Sequence, residues 1–172
     1  EVVGWLNADD AYFDAGVFER VRRYFRRTGA DVVYGDAALV DRDSRLLKLY
    51  CVPSFDYAKL RRYCFLEQPA VFLHERALAD DRLDTDLEYA MDYEFWLRLA
   101  RRYRFVHVED VLAVDRNHPE RKILRDRAAM LSESETVRRR YGGTGGLEHR
   151  LERVRDALTS GLPRRGRALA RT

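Results

Sequence analysis

Cysteine is nearly absent from this sequence: 172 residues hold two, Cys51 and Cys64. Their spacing suits no metal cage, and each lies among apolar or aromatic neighbours, so both read as buried free thiols in a reducing compartment. No apolar run approaches the roughly 20 residues that a membrane-spanning helix requires. No signal-peptide pattern is seen in these residues either: residue 1 is Glu, and the opening Val2-Val3-Gly4-Trp5-Leu6 is too short to form one. Without a Met at its start the chain is expected to be a fragment or a processed product. There is no internal repeat. A Gly-rich loop bearing Lys or Arg, which a nucleotidyltransferase would carry early, is also absent.

What is present supports one folded domain. Hydrophobic residues make up 46% and aromatics 12%, enough for a core, while 35% charged residues suit an aqueous surface. The net charge of +3 is unevenly spread. Residues 121–172 hold 14 Lys or Arg against 6 Asp or Glu, whereas residues 1–120 hold 18 against 23. Such a basic end suits a solvated helical surface or contact with an anionic membrane surface. Nucleic acid is not expected as a partner, because no aromatics interleave these cations.

Residues 2–6 read as a buried strand opening into the polar loop Asn7-Ala8-Asp9-Asp10. Asp14 suits the N-cap of a helix ending near residue 27, closed by Gly29, with Val17, Phe18, Val21 and Phe25 on its apolar face. Residues 31–36 form the next strand, and residues 39–40 and 46–50 flank a hairpin turn at 41–44. A short helix over 55–63 is stopped by Gln68-Pro69, and a strand follows over 70–74. The spacing of Trp96, Leu99, Ala100 and Tyr103 predicts a helix over 91–102. Two strands over 105–108 and 111–114 come next, then a helix from Pro119 to about residue 141. Glycines at 142, 143, 145 and 146 make a break, followed by an amphipathic helix over 147–160 and a frayed basic end. Alternating strands and helices imply an α/β sheet with helices on its faces, where ligands sit at carboxyl ends of strands.

Three places can carry chemistry. Adjacent carboxylates at Asp9 and Asp10 repel each other and make sense around a divalent cation; an ordinary acidic turn is the alternative. Asp92, near a helix start with Glu94 two residues on, can take a proton from an attacking hydroxyl, or simply favour a positive helix end. His118, after Arg116 and before Pro119, suits a metal or phosphate contact, with Arg116 as a diphosphate clamp, or an ordinary surface loop.

Taken in order, these segments resemble family 2 glycosyltransferases. Gly4-Trp5-Leu6-Asn7-Ala8-Asp9-Asp10 is similar to that family's strand and acidic motif. Val33-Tyr34-Gly35-Asp36 with Val40-Asp41, and Gln68-Pro69-Ala70-Val71-Phe72, resemble its next two segments. Met91-Asp92-Tyr93-Glu94-Phe95-Trp96-Leu97-Arg98-Leu99 is similar to its catalytic helix, and Asp115-Arg116-Asn117-His118 to its late Arg-x-His element. The resemblance covers roughly residues 1–140.

That resemblance implies a GT-A-like mixed sheet flanked by helices, followed by C-terminal helices. It implies a nucleotide-diphosphate sugar donor, a divalent cation (Mg2+ or Mn2+) and inversion at the anomeric carbon. Asp92 matches the base, Asp9 and His118 the metal contacts, and Asn7, Asp10, Gln68, Glu94 and Arg116 substrate contacts. Asn7 stands where the motif often has an aspartate, and Met91 where an acidic residue is frequent. Only six residues precede Asn7, so the family's first βαβ strands, which hold the nucleoside, are expected to be missing. Residues 1–118 would be a partial catalytic domain and 119–172 helices with a basic tail. The expected acceptor is a glycan or lipid-linked glycan of bacterial surface polysaccharide synthesis, made in the cytoplasm or at the inner face of the membrane. A non-catalytic carbohydrate- or partner-binding fragment is the rival expectation, and a nucleotidyltransferase a weaker one.

Overall fold

The computed structural model describes residues 1–79, 82–119, 121 and 126–144. Six strands form one mixed sheet: β1 (Val2–Gly4), β2 (Ala11–Tyr12), β3 (Val32–Val40), β4 (Leu46–Tyr50), β5 (Val71–His74) and β6 (Phe105–Arg116). Their order is β1-β5-β3-β6-β2, with β4 pairing the far half of β3. Only β3 and β6 run parallel; every other pair is antiparallel. Eight of the nine residues of β3 are buried, as befits a central strand covered on both faces.

Successive side chains of β3 point to opposite faces, so the strand feeds two cores. On one face Val33 and Ala37 join Phe72, Leu112 and the helix α1 (Val17–Thr28). On the other, Val32 and Tyr34 join Val71, Leu73, Phe105 and the helix α3 (Met91–Leu99), whose Trp96, Leu97 and Leu99 are fully buried. The single-turn helix α2 (Tyr57–Leu60) seats Leu60 in that second core, and α4 (Arg127–Arg140) seats Val137 there.

α1 buries Val17, Val21 and Phe25, one residue per turn, and Gly29 closes it in the left-handed region at φ 62°, as expected. Phe18 departs from expectation: it is 55% exposed and lies edge-on against Tyr12. It sits about 100° around the helix from Val17, outside a stripe already filled by the i, i+4 series. The N-cap is Gly16 rather than Asp14; Asp14 instead accepts the Gly16 N–H at 2.6 Å and pairs with Arg20.

Other boundaries move as well. The expected strand 31–36 runs on to Val40, directly into the hairpin. The helix expected over 55–63 shrinks to four residues, capped by Asp56 accepting from the Lys59 N–H. α4 begins at Arg127, not Pro119, because Asp126 caps it by accepting the Ala129 N–H. The helix expected over 147–160 and the basic end lie outside the described residues. Both cysteines are free thiols and half-buried.

The two strands expected at 105–108 and 111–114 are one strand of 12 residues, β6. Its register against β3 shifts between Tyr34↔His107 and Asp36↔Val111, so residues 108–110 oppose Gly35 alone. This bulge requires Gly35: a Cβ there would lie 2.5 Å from the Asp110 carbonyl. The bulge turns Asp110 toward α1, where Arg20 and Tyr24 donate to it at 2.8 and 3.1 Å.

Candidate functional site

β1 gives way to a turn closed by the Asp10 N–H donating to the Asn7 carbonyl at 3.2 Å. The Asn7 amide donates to Asp10 Oδ2 at 3.0 Å and to Gln68 Oε1 at 2.8 Å. Gln68 in turn donates its own amide to the Trp5 carbonyl. Gln68 opens a 3-10 turn (Gln68–Ala70) that leads into β5, the neighbour of β1, so the sheet itself brings positions 7 and 68 together.

Asp9 meets His118, 109 residues away, at 2.9 Å between Oδ2 and Nε2. β6 ends at Arg116, and the Asn117 N–H donates to the Val40 carbonyl at 2.7 Å, which aims the following residue at the 7–10 turn. The His118 hydrogen bond holds the Asp9 carboxyl below its ordinary value. Asp10 behaves oppositely. Burial, then the charge of Asp115, pushes it up to about 6, against the opposing hydrogen bond from Asn7. Neighbouring carboxylates are thus driven apart: Asp9 stays ionised while Asp10 takes up a proton more readily.

Arg116 points elsewhere. Its guanidinium donates to the Asp41 carbonyl and Ser44 Oγ, both at 3.2 Å, and so holds the β3–β4 turn. The buried Asp115 pairs with Arg121 at 2.9 Å.

Asp92 occupies the first turn of α3, where its Oδ1 accepts the Tyr93 N–H at 2.7 Å. Burial pushes its carboxyl up to about 6. Glu94 belongs to a different set of contacts: it is 3% exposed, ion-pairs with Arg98 at 3.0 Å and accepts the Tyr141 hydroxyl at 2.5 Å. It ties α3 to the end of α4.

The residue that sequence reasoning missed is Glu67. Burial first, then the charges of Asp115 and Asp92, pushes its carboxyl up to about 7, while Arg121 and Lys48 oppose the rise. Glu67 therefore feels the charges of both Asp115 and Asp92. A single carboxylate within the apolar stretch Cys64-Phe65-Leu66 and beside Gln68-Pro69 was the available signal. Also missed was Glu133 of α4. Its carboxylate accepts the Glu88 N–H at 2.9 Å and the Tyr89 and Ala90 N–H groups beyond, capping α3 from a separate helix. Ala90, the N-cap residue, offers no side-chain cap of its own.

Among the described residues no three His, Cys, Asp or Glu side chains converge as a complete metal cage. Asp9 and His118 do converge, and one carboxylate oxygen with one imidazole nitrogen fits Mn2+ or Mg2+, ions that fill remaining positions with water and phosphate oxygens. Chemically, Asp9 and His118 offer one carboxylate oxygen and one imidazole nitrogen side by side, and Asp92 a carboxylate whose raised value suits proton transfer near neutrality. No helix among the described residues is long and apolar enough to cross a membrane.

The chain is similar to an uncharacterized glycosyltransferase of Methanocaldococcus jannaschii, 22% identical over 112 residues. The match covers 62% of this chain but 39% of that protein, so the chain spans well under half of its relative. No protein-family profile matches. The likeness supports a glycosyltransferase relationship.

Proposed function

We propose that this chain is the cation-binding and acceptor-activating part of a family 2, GT-A-type glycosyltransferase. It moves a sugar from a nucleotide-diphosphate donor to an acceptor hydroxyl with inversion, residues 1–118 carrying the chemistry and 119–172 the flanking helices. The observation that carries the proposal is the 2.9 Å meeting of Asp9 and His118 across 109 residues, beside a turn locked by Asn7 and Gln68.

Asp92 accepts the proton of the acceptor hydroxyl as its oxygen attacks the anomeric carbon in one displacement. Asp9 and His118 would hold Mg2+ or Mn2+, which when bound neutralises charge on the departing nucleoside diphosphate. Glu67, protonated more readily than Asp92, leaves Asp92 the ionised member of the pair. Asn7 and Gln68 fix the turn that presents Asp9. The acceptor is a glycan or lipid-linked glycan of surface polysaccharide synthesis, at the inner face of the membrane.

The test is release of nucleoside diphosphate from a panel of nucleotide-sugars, with and without Mn2+. Asp92→Asn is expected to lower turnover by about 10²–10⁴-fold with little change in donor affinity. Near-normal turnover in that variant would remove Asp92 from the mechanism. Absence of metal-dependent release from every donor, by this chain and by one extended at its N-terminus, would favour a binding module instead.

A further inference from the structure

The β3–β4 hairpin has no role in the chemistry above, yet residues 42–49 are all exposed. Three of them are leucines: Leu46 is 65% exposed, Leu47 51% and Leu49 39%. β4 bonds to β3 alone, so its other edge carries no strand among the described residues. Leucines along a bare edge strand invite association unless something covers them.

The charges around them select what covers them. Arg42, Arg45 and Lys48 share this stretch with one exposed acid, Asp43, which pairs with Arg45 at 3.0 Å. Asp41 is committed to the turn, its Oδ1 accepting the Asp43 and Arg45 N–H groups, each at 2.9 Å. A second copy pairing antiparallel through β4, centred on the strand, would set Lys48 against its own counterpart, and like charges directly opposite are destabilising. An anionic bilayer accommodates both kinds of side chain, leucines at the headgroup–acyl boundary and cations among lipid phosphates.

The hairpin is also preformed. Arg116 grips its turn through the Asp41 carbonyl and Ser44 Oγ, and Ser44 adopts a left-handed φ of 63°. Docking therefore orders little new structure.

We propose that residues 41–49 form a docking element for an anionic lipid surface. It is independent of the glycosyl-transfer proposal. Because Arg116 lies two residues before His118, docking would set the Asp9–His118 pair beside the bilayer.

The test is sedimentation of the full chain with vesicles of phosphatidylcholine alone and of phosphatidylcholine with phosphatidylglycerol, about 2:1. Binding to the mixed vesicles is expected. The double variant Leu46→Ser, Leu47→Ser should bind roughly tenfold more weakly, since it removes two apolar side chains from the lipid boundary. Arg42→Glu should bind roughly fivefold more weakly to mixed vesicles and unchanged to neutral ones; it is the check that stands if the double variant does not fold. Failure of the unaltered chain to bind mixed vesicles overturns the proposal. So does full binding by the double variant with loss in Arg164→Glu, Arg165→Glu, which would assign the contact to the basic end. A concentration-dependent dimer abolished by the double variant also overturns it, in favour of a second copy.

Discussion

Replacing Asp92 by Asn should make the protein more stable near neutral pH while disabling its chemistry. Burial raises the Asp92 carboxyl from 3.8 to about 6, so the folded state binds this proton more tightly than the unfolded chain does. Folding stability from that proton is fully present below the unfolded value, and is lost as pH rises through the folded value. Above about pH 7 the whole gap of roughly two units is felt, or about 3 kcal/mol. Asn keeps an oxygen for the Tyr93 N–H, which Asp92 accepts at 2.7 Å, and carries no charge to desolvate. It also relieves Glu67, which the Asp92 charge raises further. For a chain of this length, about 3 kcal/mol raises Tm by roughly 6–12 °C. Thermal unfolding of both proteins at about pH 8 and about pH 4 is the assay. The gain should appear at the higher pH and nearly vanish at the lower, where Asp92 is already protonated in the fold. An Asn variant no more stable than its parent at about pH 8, or equally stabilised at both, refutes the buried-carboxylate account.

Gly35→Ala sets a Cβ 2.5 Å from the Asp110 carbonyl and 2.8 Å from the Leu112 side chain, and should cost about 1–3 kcal/mol in a urea titration. His118→Ala removes the hydrogen bond that lowers Asp9, so the Asp9 carboxyl should move up toward its ordinary value in an NMR titration, and calorimetric Mn2+ affinity should fall by about tenfold or more. Glu133→Ala strips the acceptor from three backbone N–H groups ahead of α3 and should cost about 2–3 kcal/mol, read by chemical unfolding.

Local periodicity carried the elements whose stabilising contacts lie within one turn or one strand. Val17, Val21 and Phe25 announce α1, and the Asp41 turn announces the hairpin, because each pattern is complete in a few residues. β6 was not legible as one strand. Glu109-Asp110 looks like a turn until Gly35, far away in sequence, makes room for a bulge. The site divides the same way. Asn7, Asp9, Asp10, Gln68 and His118 were singled out from motifs, but which of them touch depends on β1 pairing with β5 and on where β6 ends. Glu94 was expected among the substrate contacts from the resemblance; the Arg98 four residues on already offered it an ion-pair partner, while Tyr141 could not be foreseen. Glu67 escaped notice because its significance comes from Asp92 and Asp115, each on another element.

Glu133 has a bearing on how the molecule opens and closes. The segment entering α3 owes its backbone satisfaction to a side chain on α4, which also lends Tyr141 to Glu94. The two helices therefore cannot loosen separately without stranding the part-buried Tyr89 and Ala90 N–H groups. Hydrogen exchange at the Tyr89 and Ala90 amides thus clocks the undocking of α4, and the helix bearing Asp92 keeps its orientation only while that docking lasts.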